Sequence, residues 1–258
     1  MYQNLNAGIL VARRGLLRAR YCGEWNPAAP CQFMAQIFIT GTDTGVGKTL
    51  LTGLLLSHLR QSNVHALAMK PFCSGDRADV ELFYTLQDGE LTRDEINPFY
   101  FAKPLAPAVA ARKRNRSVPI TQVLARIEAL AKRCDLLLIE GIGGACVPLS
   151  GDYLVADVIR ELGCETIVVA RNRLGTIHAT LSTCYSLGVF GVSAAKIVLM
   201  GAKNPDLSAS TNLKSLQDWL RPQGLVAIPY LGGNLAQAAQ IHKAAEKIKR
   251  DLEKLLGQ

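Results

Sequence analysis

From Gln36 onward, short apolar runs alternate with longer helical stretches, and this alternation constrains the fold more than any other feature of the chain. The runs are Gln36–Thr40, Ala66–Lys70, Leu136–Glu140, Thr166–Ala170, Lys196–Met200 and Leu225–Ile228. The helical stretches are Thr49–Ser62, Ile120–Arg133, Asp152–Leu162, Thr176–Leu187, Ser208–Leu220 and a last one around Leu235–Leu256. A strand that is apolar on both faces needs cover on both, which a parallel sheet obtains from its crossover helices. The pattern therefore predicts an α/β fold, a doubly wound, mostly parallel sheet with helices on both faces. Ligands of such sheets bind at the carboxyl ends of the strands. The residues that follow each run are thus the functional candidates. No repeat or long linker divides the chain, so 34–258 reads as one domain.

Composition narrows the class. A chain of 258 residues, 49% of them apolar, buries an ample core without disulfides or structural metals. No apolar run reaches the length of a membrane-spanning helix. Lys and Arg total 29 against 21 Asp and Glu, a net charge of +8, but the excess is local. Residues 1–33 hold Arg13, Arg14, Arg18 and Arg20 against Glu24 alone, and Arg112–Arg116 adds four more positive charges. The remainder is nearly neutral, so no nucleic-acid face is implied, and small anions stay open as partners. Cys22, Cys31, Cys73, Cys134, Cys146, Cys164 and Cys184 form no CxxC pair, and several lie in or beside apolar runs. That usage predicts reduced thiols, a cytoplasmic location and no metal cluster. Residues 1–33 carry no sustained period and are expected to be a disordered extension or the product of an upstream start, with Met34 as the natural beginning. Their Arg-rich composition is transit-like, but Ser is absent.

The strand ends carry the chemistry. After the first run comes Gly41-Thr42-Asp43-Thr44-Gly45-Val46-Gly47-Lys48-Thr49, leading into a helix. The phosphate-loop pattern asks for glycine five residues before Gly47, where Thr42 stands; the outer glycine is Gly41, one residue further out. The context remains P-loop NTPase-like, since backbone N–H groups at a helix start cradle phosphate oxygens. Gly45, Val46, Gly47, Lys48, Thr49 and Leu50 are the expected nucleotide contacts, Lys48 for phosphate charge and the Thr49 hydroxyl for Mg2+. Lys70 ends the second run, where an ammonium ion calls for an anionic partner or a path to water. Ser74, Gly75 and Asp79 follow it; Asp79 alone reads equally as a first-turn helix acid. Glu140 ends the third run in the place of a metal-holding strand acid and leads into Gly141, Gly143 and Gly144. Gly175-Thr176 opens a helix and reads either as an anion site or as a capped turn. Met200-Gly201 and Ile228-Pro229-Tyr230 should form the rim. His58 and His65 read as structural, and Arg112–Arg116 as a solvated loop or helix end.

Together these motifs resemble the ATP-dependent dethiobiotin synthetase family over nearly all of 35–233. The carrying residues are Gly41–Thr49, Lys70-Pro71 with Ser74-Gly75, Pro104–Pro107, Glu140–Pro148, Leu174–Ile177 and Ile228-Pro229. The family's phosphate loop has the same extra residue. The resemblance implies an enzyme that uses MgATP and CO2 to close a ureido ring on 7,8-diaminononanoate. It implies Lys48 and Lys70 as catalytic residues, and Thr49, Asp79 and Glu140 as Mg2+ ligands. Glu140, Gly141, Gly143, Gly144, Met200, Gly201, Ile228, Pro229 and Tyr230 would join the phosphate loop in binding ATP. Ser74 would hold substrate, as would Gly175, Thr176 and Ile177 from the second subunit of a homodimer. The chain departs from the family at Ala108, at Met200-Gly201 and at His178. Two other readings share the fold: a ParA/MinD-like nucleotide switch, which would carry a lysine where Thr42 stands, and a relative of the cobyrinate-type amide synthases.

Overall fold

β1 (Ala35–Gly41) lies inside a six-stranded sheet because its middle residues, Ile37, Phe38 and Ile39, are buried on both faces. The computed structural model describes residues 35–257 except 193, 194, 221, 223, 233, 234 and 236, so the expected 1–33 extension lies outside the described residues. The sheet order is β2-β5-β1-β6-β7-β8, with β2 Ala66–Met69, β5 Leu136–Gly144, β6 Glu165–Arg171, β7 Ala195–Met200 and β8 Leu225–Ile228. Every neighbouring pair is parallel, and each of the six expected runs is a strand. The chain leaves β1 toward β5 and β2 on one side and later returns to β6 on the other. This reversal opens a crevice at the carboxyl end of β1.

Alternate strand residues face different helices. Ala170, Ile197, Leu199 and Leu225 pack with Leu216 and Ile177, residues of α8 (Asn212–Leu220) and α7 (Thr176–Val189). Val198 and Val226 instead join the main core with Leu252 and Leu255 of α10 (Lys249–Leu256). α1 (Lys48–Gln61) is buried along most of its length, because α2 (Ala78–Leu86), α9 (Ala238–Lys247) and α10 cover its outer side. α5 (Ile120–Ala131) and α6 (Val155–Leu162) pack on β5.

Several elements go beyond the sequence pattern. β3 (Phe72–Ser74) and β4 (Phe99–Phe101) form a separate parallel pair, joined by a stacked Phe72–Phe99 contact at 5.1 Å. At three residues each they are too short to show a period. α3 (Arg93–Ile96) and α4 (Pro107–Arg112) are also short, at four and six residues. The expected Ser208–Leu220 helix is a 3-10 turn (Leu207–Ser210) followed by α8. The last stretch is two helices that break at Ile248, an arrangement that buries Ile248, Leu252 and Leu255 together. β5 continues past Glu140 to Gly144, where it pairs with Gly41 after a register shift. No helix among the described residues is long and apolar enough to cross a membrane.

β2 is an edge strand, and a side chain completes its hydrogen bonding. Buried Gln87 accepts from the Ala68 N–H at 2.8 Å and donates to the Ala68 carbonyl at 3.2 Å and the Phe83 carbonyl at 2.9 Å. Gln87→Leu leaves both Ala68 groups buried without this partner and should cost about 2 kcal/mol, read as a lower urea midpoint. An unchanged midpoint would show that the edge is satisfied otherwise.

Candidate active site

The loop between β1 and α1 is held by strands on both sides. The Thr42 N–H donates to the Val169 carbonyl of β6 at 2.9 Å, and Arg171 at the end of β6 donates through Nε and Nη2 to the Gly45 carbonyl at 2.9 and 2.7 Å. On the β5 side, a Cβ on Gly144 would lie 3.1 Å from the Gly41 carbonyl oxygen, so the strand approaches the loop backbone to within van der Waals contact. Gly47 caps α1 with φ 109°, a conformation that L side chains avoid, and any Cβ there would also strike Met200 at 2.9 Å. No acidic residue occupies the first turn of α1, so the positive end of the helix dipole is uncompensated from its own sequence.

Four charged side chains converge beside this loop. Lys48 donates to the Asp43 carbonyl at 2.8 Å and is only 6% exposed. Lys70, 7% exposed, donates to Glu140 Oε1 at 2.8 Å and pairs with Asp79 Oδ2. The Thr49 hydroxyl donates to the same Glu140 oxygen at 2.9 Å. Glu140 is 1% exposed, and its Oε2 has no hydrogen-bond partner. Burial, partly offset by Glu140 and reinforced by the nearby Lys70 charge, holds the Lys48 ammonium down at about 8. Burial also opposes the Lys70 charge, but Glu140 and Asp79 outweigh it and raise this ammonium well above the usual lysine range. Burial raises the Glu140 carboxyl, against the attraction of Lys70.

The backbone of Lys70 is fixed from a segment that the pattern did not mark. Its N–H donates to the Ile96 carbonyl at 2.8 Å, and Asn97 Nδ2 donates to the Lys70 carbonyl at 2.9 Å. Ser74 follows on β3; its Oγ is buried without a partner, and the Gly75 carbonyl accepts from Tyr100 at 2.9 Å. Val46 is buried, Leu50 packs against the core, and Gly141 and Gly143 lie on the extension of β5. Met200 is buried, in contact with Gly47, while the Gly201 N–H donates to Ile228 and Gly201 fits closely against Pro229 and Tyr230. Thus Lys48, Thr49, Lys70, Asp79 and Glu140 come together, and Met200–Gly201 with Ile228–Tyr230 borders the loop.

Of Gly175, Thr176 and Ile177 only Thr176 has a polar side chain, and its buried hydroxyl makes no bond to that cluster. The turn before them is tied instead to 206–212, through Leu174 N–H to Asp206 at 2.8 Å and Asn212 to the Arg173 carbonyl at 3.2 Å. Leu174 projects outward, 80% exposed. His58 is buried in α1, and His65 pairs with Glu90 at 2.6 Å near the amino end of β2, away from the strand ends that bear the cluster. Lys113, Arg114 and Arg116 lie exposed after α4, as the solvated reading expected.

The family model described as an AAA domain matches residues 35–238. An ATP-dependent dethiobiotin synthetase of Bacillus subtilis (strain 168) is 34% identical over 230 residues, which cover 85% of this chain and 97% of that protein. One from Anaeromyxobacter sp. (strain Fw109-5) is 40% identical over 177 residues, covering 67% and 79%. The chain belongs to the ATP-dependent dethiobiotin synthetase family. Among solved structures, a ParA family ATPase from Chlorobium tepidum TLS matches with TM-score 0.52 and 14% identity, covering 87% of this chain and 98% of that one. The MinC:MinD complex of Aquifex aeolicus gives 0.56 and 12%, covering 87% and 96%. At these identities the two structures speak to fold alone.

The cluster is an energetic unit. Lys70→Met strands a buried carboxylate and should cost about 3 kcal/mol in urea unfolding at neutral pH. The Lys70→Met, Glu140→Gln double variant should lose less than the sum of the singles by about 1–2 kcal/mol. Strict additivity would mean that the two groups do not depend on each other.

Proposed function

We propose that the protein closes a ureido ring on 7,8-diaminononanoate, using CO2 and MgATP, to give dethiobiotin, ADP and phosphate. The observation that carries this reading is the Lys70 ammonium, shared between buried Glu140 and Asp79 beside the Lys48 of a phosphate loop. Phosphoryl transfer needs positioning and charge neutralisation more than a protein nucleophile, and this arrangement offers both.

In the proposed reaction, one amine captures CO2 as a carbamate and releases a proton. A carbamate oxygen attacks the γ-phosphorus, the bond to the β-phosphate oxygen breaks, and ADP leaves. The second amine then attacks the carbonyl carbon of the mixed anhydride, expelling phosphate and losing a proton as the ring closes. Lys48 and Lys70 neutralise the transferring phosphoryl group, with Lys70 also beside the carbamate. Ser74, whose hydroxyl lacks a protein partner, is available to the substrate. Gly45–Leu50, with Gly141, Gly143 and Gly144, lines the phosphates, and Met200, Gly201, Ile228, Pro229 and Tyr230 border the base.

Thr49, Asp79 and Glu140 fit Mg2+, since Glu140 Oε2 is a buried carboxylate oxygen without a hydrogen bond and Thr49 adjoins the same carboxylate. A site with few protein carboxylates suits a metal that keeps waters and takes its other ligands from phosphate. When bound, the metal supplies charge neutralisation on the β- and γ-phosphates. The same reading places 34–258 in one domain, the protein in the cytoplasm, and Gly175–Ile177 across a homodimer contact at the substrate's carboxylate.

Incubation with MgATP, bicarbonate and the diamine should yield dethiobiotin, and its absence would contradict the proposal. Lys70→Ala should reduce turnover by about 10²–10³-fold while ATP still binds; undiminished turnover would remove Lys70 from the mechanism. Lys48 is charged below its value of about 8 and loses that charge as pH rises through it. ATP, which binds the charged form, should therefore bind up to about tenfold more weakly per pH unit above 8, with proton uptake visible by calorimetry in two buffers. A flat profile from pH 7 to 10 would exclude Lys48 as a phosphate contact.

A further inference from the structure

A loop that gathers N–H groups on one side for an anion presents carbonyls on the other, and those carbonyls need donors of their own. In this chain β6 accepts from one loop N–H and, through Arg171, donates to one loop carbonyl. The Thr42 N–H is anchored on the Val169 carbonyl, and two residues along the same strand the Arg171 guanidinium places Nε–H and Nη2–H together on the Gly45 carbonyl at 2.9 and 2.7 Å. The peptide is planar and trans, so its carbonyl and the following N–H point in opposite directions. A carbonyl of Gly45 held toward β6 therefore holds the Val46 N–H toward the other side of the loop.

We propose that Arg171 is a positioning residue that fixes the Gly45–Val46 peptide, and through it the direction in which the phosphate loop offers the Val46 N–H. The inference rests on the reading of this loop as the nucleotide-phosphate site. Gly45 and Gly47 both adopt positive φ, so this part of the loop has little resistance of its own to a peptide flip. A guanidinium suits the task because its planar fork meets one oxygen with two donors, and its charge strengthens both bonds. Lysine keeps the charge but offers no fork. The contact joins the loop to a residue exposed at the surface, outside the Lys48–Lys70–Glu140–Asp79 cluster, so its loss leaves the buried charges intact.

Dissociation constants for ATP and ADP, measured by calorimetry on the wild type, Arg171→Ala and Arg171→Lys, test the inference, with urea midpoints as a check on folding. The expected result is a loss of about tenfold for both nucleotides in Arg171→Ala, a partial recovery in Arg171→Lys, unchanged midpoints and an unchanged KM for the diamine. Wild-type affinity in Arg171→Ala would overturn the proposal. So would full recovery in Arg171→Lys, which would assign the effect to charge alone. A loss confined to ATP would also overturn it, because it would mean direct contact with the γ-phosphate. If the wild type binds neither nucleotide, the loop reading fails and this inference falls with it.

Discussion

The ion pair between Lys70 and Glu140 is the interaction on which the rest of the site depends. Each partner is buried, and an isolated charge in such surroundings would neutralise itself or unfold the protein. The fold removes that cost by placing the two side by side on adjacent parallel strands, Lys70 directly after β2 and Glu140 within β5 just past the last β2 pairing. Asp79, from the first turn of α2, adds a second carboxylate to the same ammonium. Lys48 enters from α1 and gives up part of its basicity, chiefly to burial and in lesser part to the nearby Lys70 charge. Two basic and two acidic side chains thus meet in one cluster beside the phosphate loop.

Much of this was legible from residue order alone. Strands that are apolar on both faces announce a parallel sheet, and in such a sheet the residue after each strand is a candidate by position. Lys70 and Glu140 stood out because a charge directly after four apolar residues needs a reason. Gln87, Asn97, Tyr100 and Arg171 gave no such signal. Each acts through side-chain hydrogen bonds to backbone groups, and the partner of Arg171 lies 126 positions away. Contacts of that kind have no period and no composition bias. β3 and β4 escaped for a related reason, since three residues hold too little pattern to distinguish a strand from a loop. The continuation of β5 to Gly144, which pairs with Gly41, was hidden because glycines carry no apolar pattern to mark a strand.

The fold and the family make separate statements about the molecule. The fold is shared with a ParA family ATPase and with the MinC:MinD complex at identities of 14% and 12%, which leaves the chemistry open. Identity of 34–40% with dethiobiotin synthetases narrows it. The net charge of +8 fits this picture once it is divided by location. Much of the excess lies in residues 1–33 and in the exposed segment after α4, while the charges around the phosphate loop balance one another.

The central claim is that a carbamate oxygen takes the γ-phosphoryl group at the Lys48–Lys70 site. Isotope transfer tests it most directly: freshly dissolved 18O-labelled CO2 is supplied with MgATP and diaminononanoate, and the phosphate released in the first turnovers is weighed by mass spectrometry. One labelled oxygen per phosphate is the predicted result, because the anhydride oxygen leaves with phosphorus when the ring closes. Phosphate without label, formed in step with the ureido product, would contradict the account.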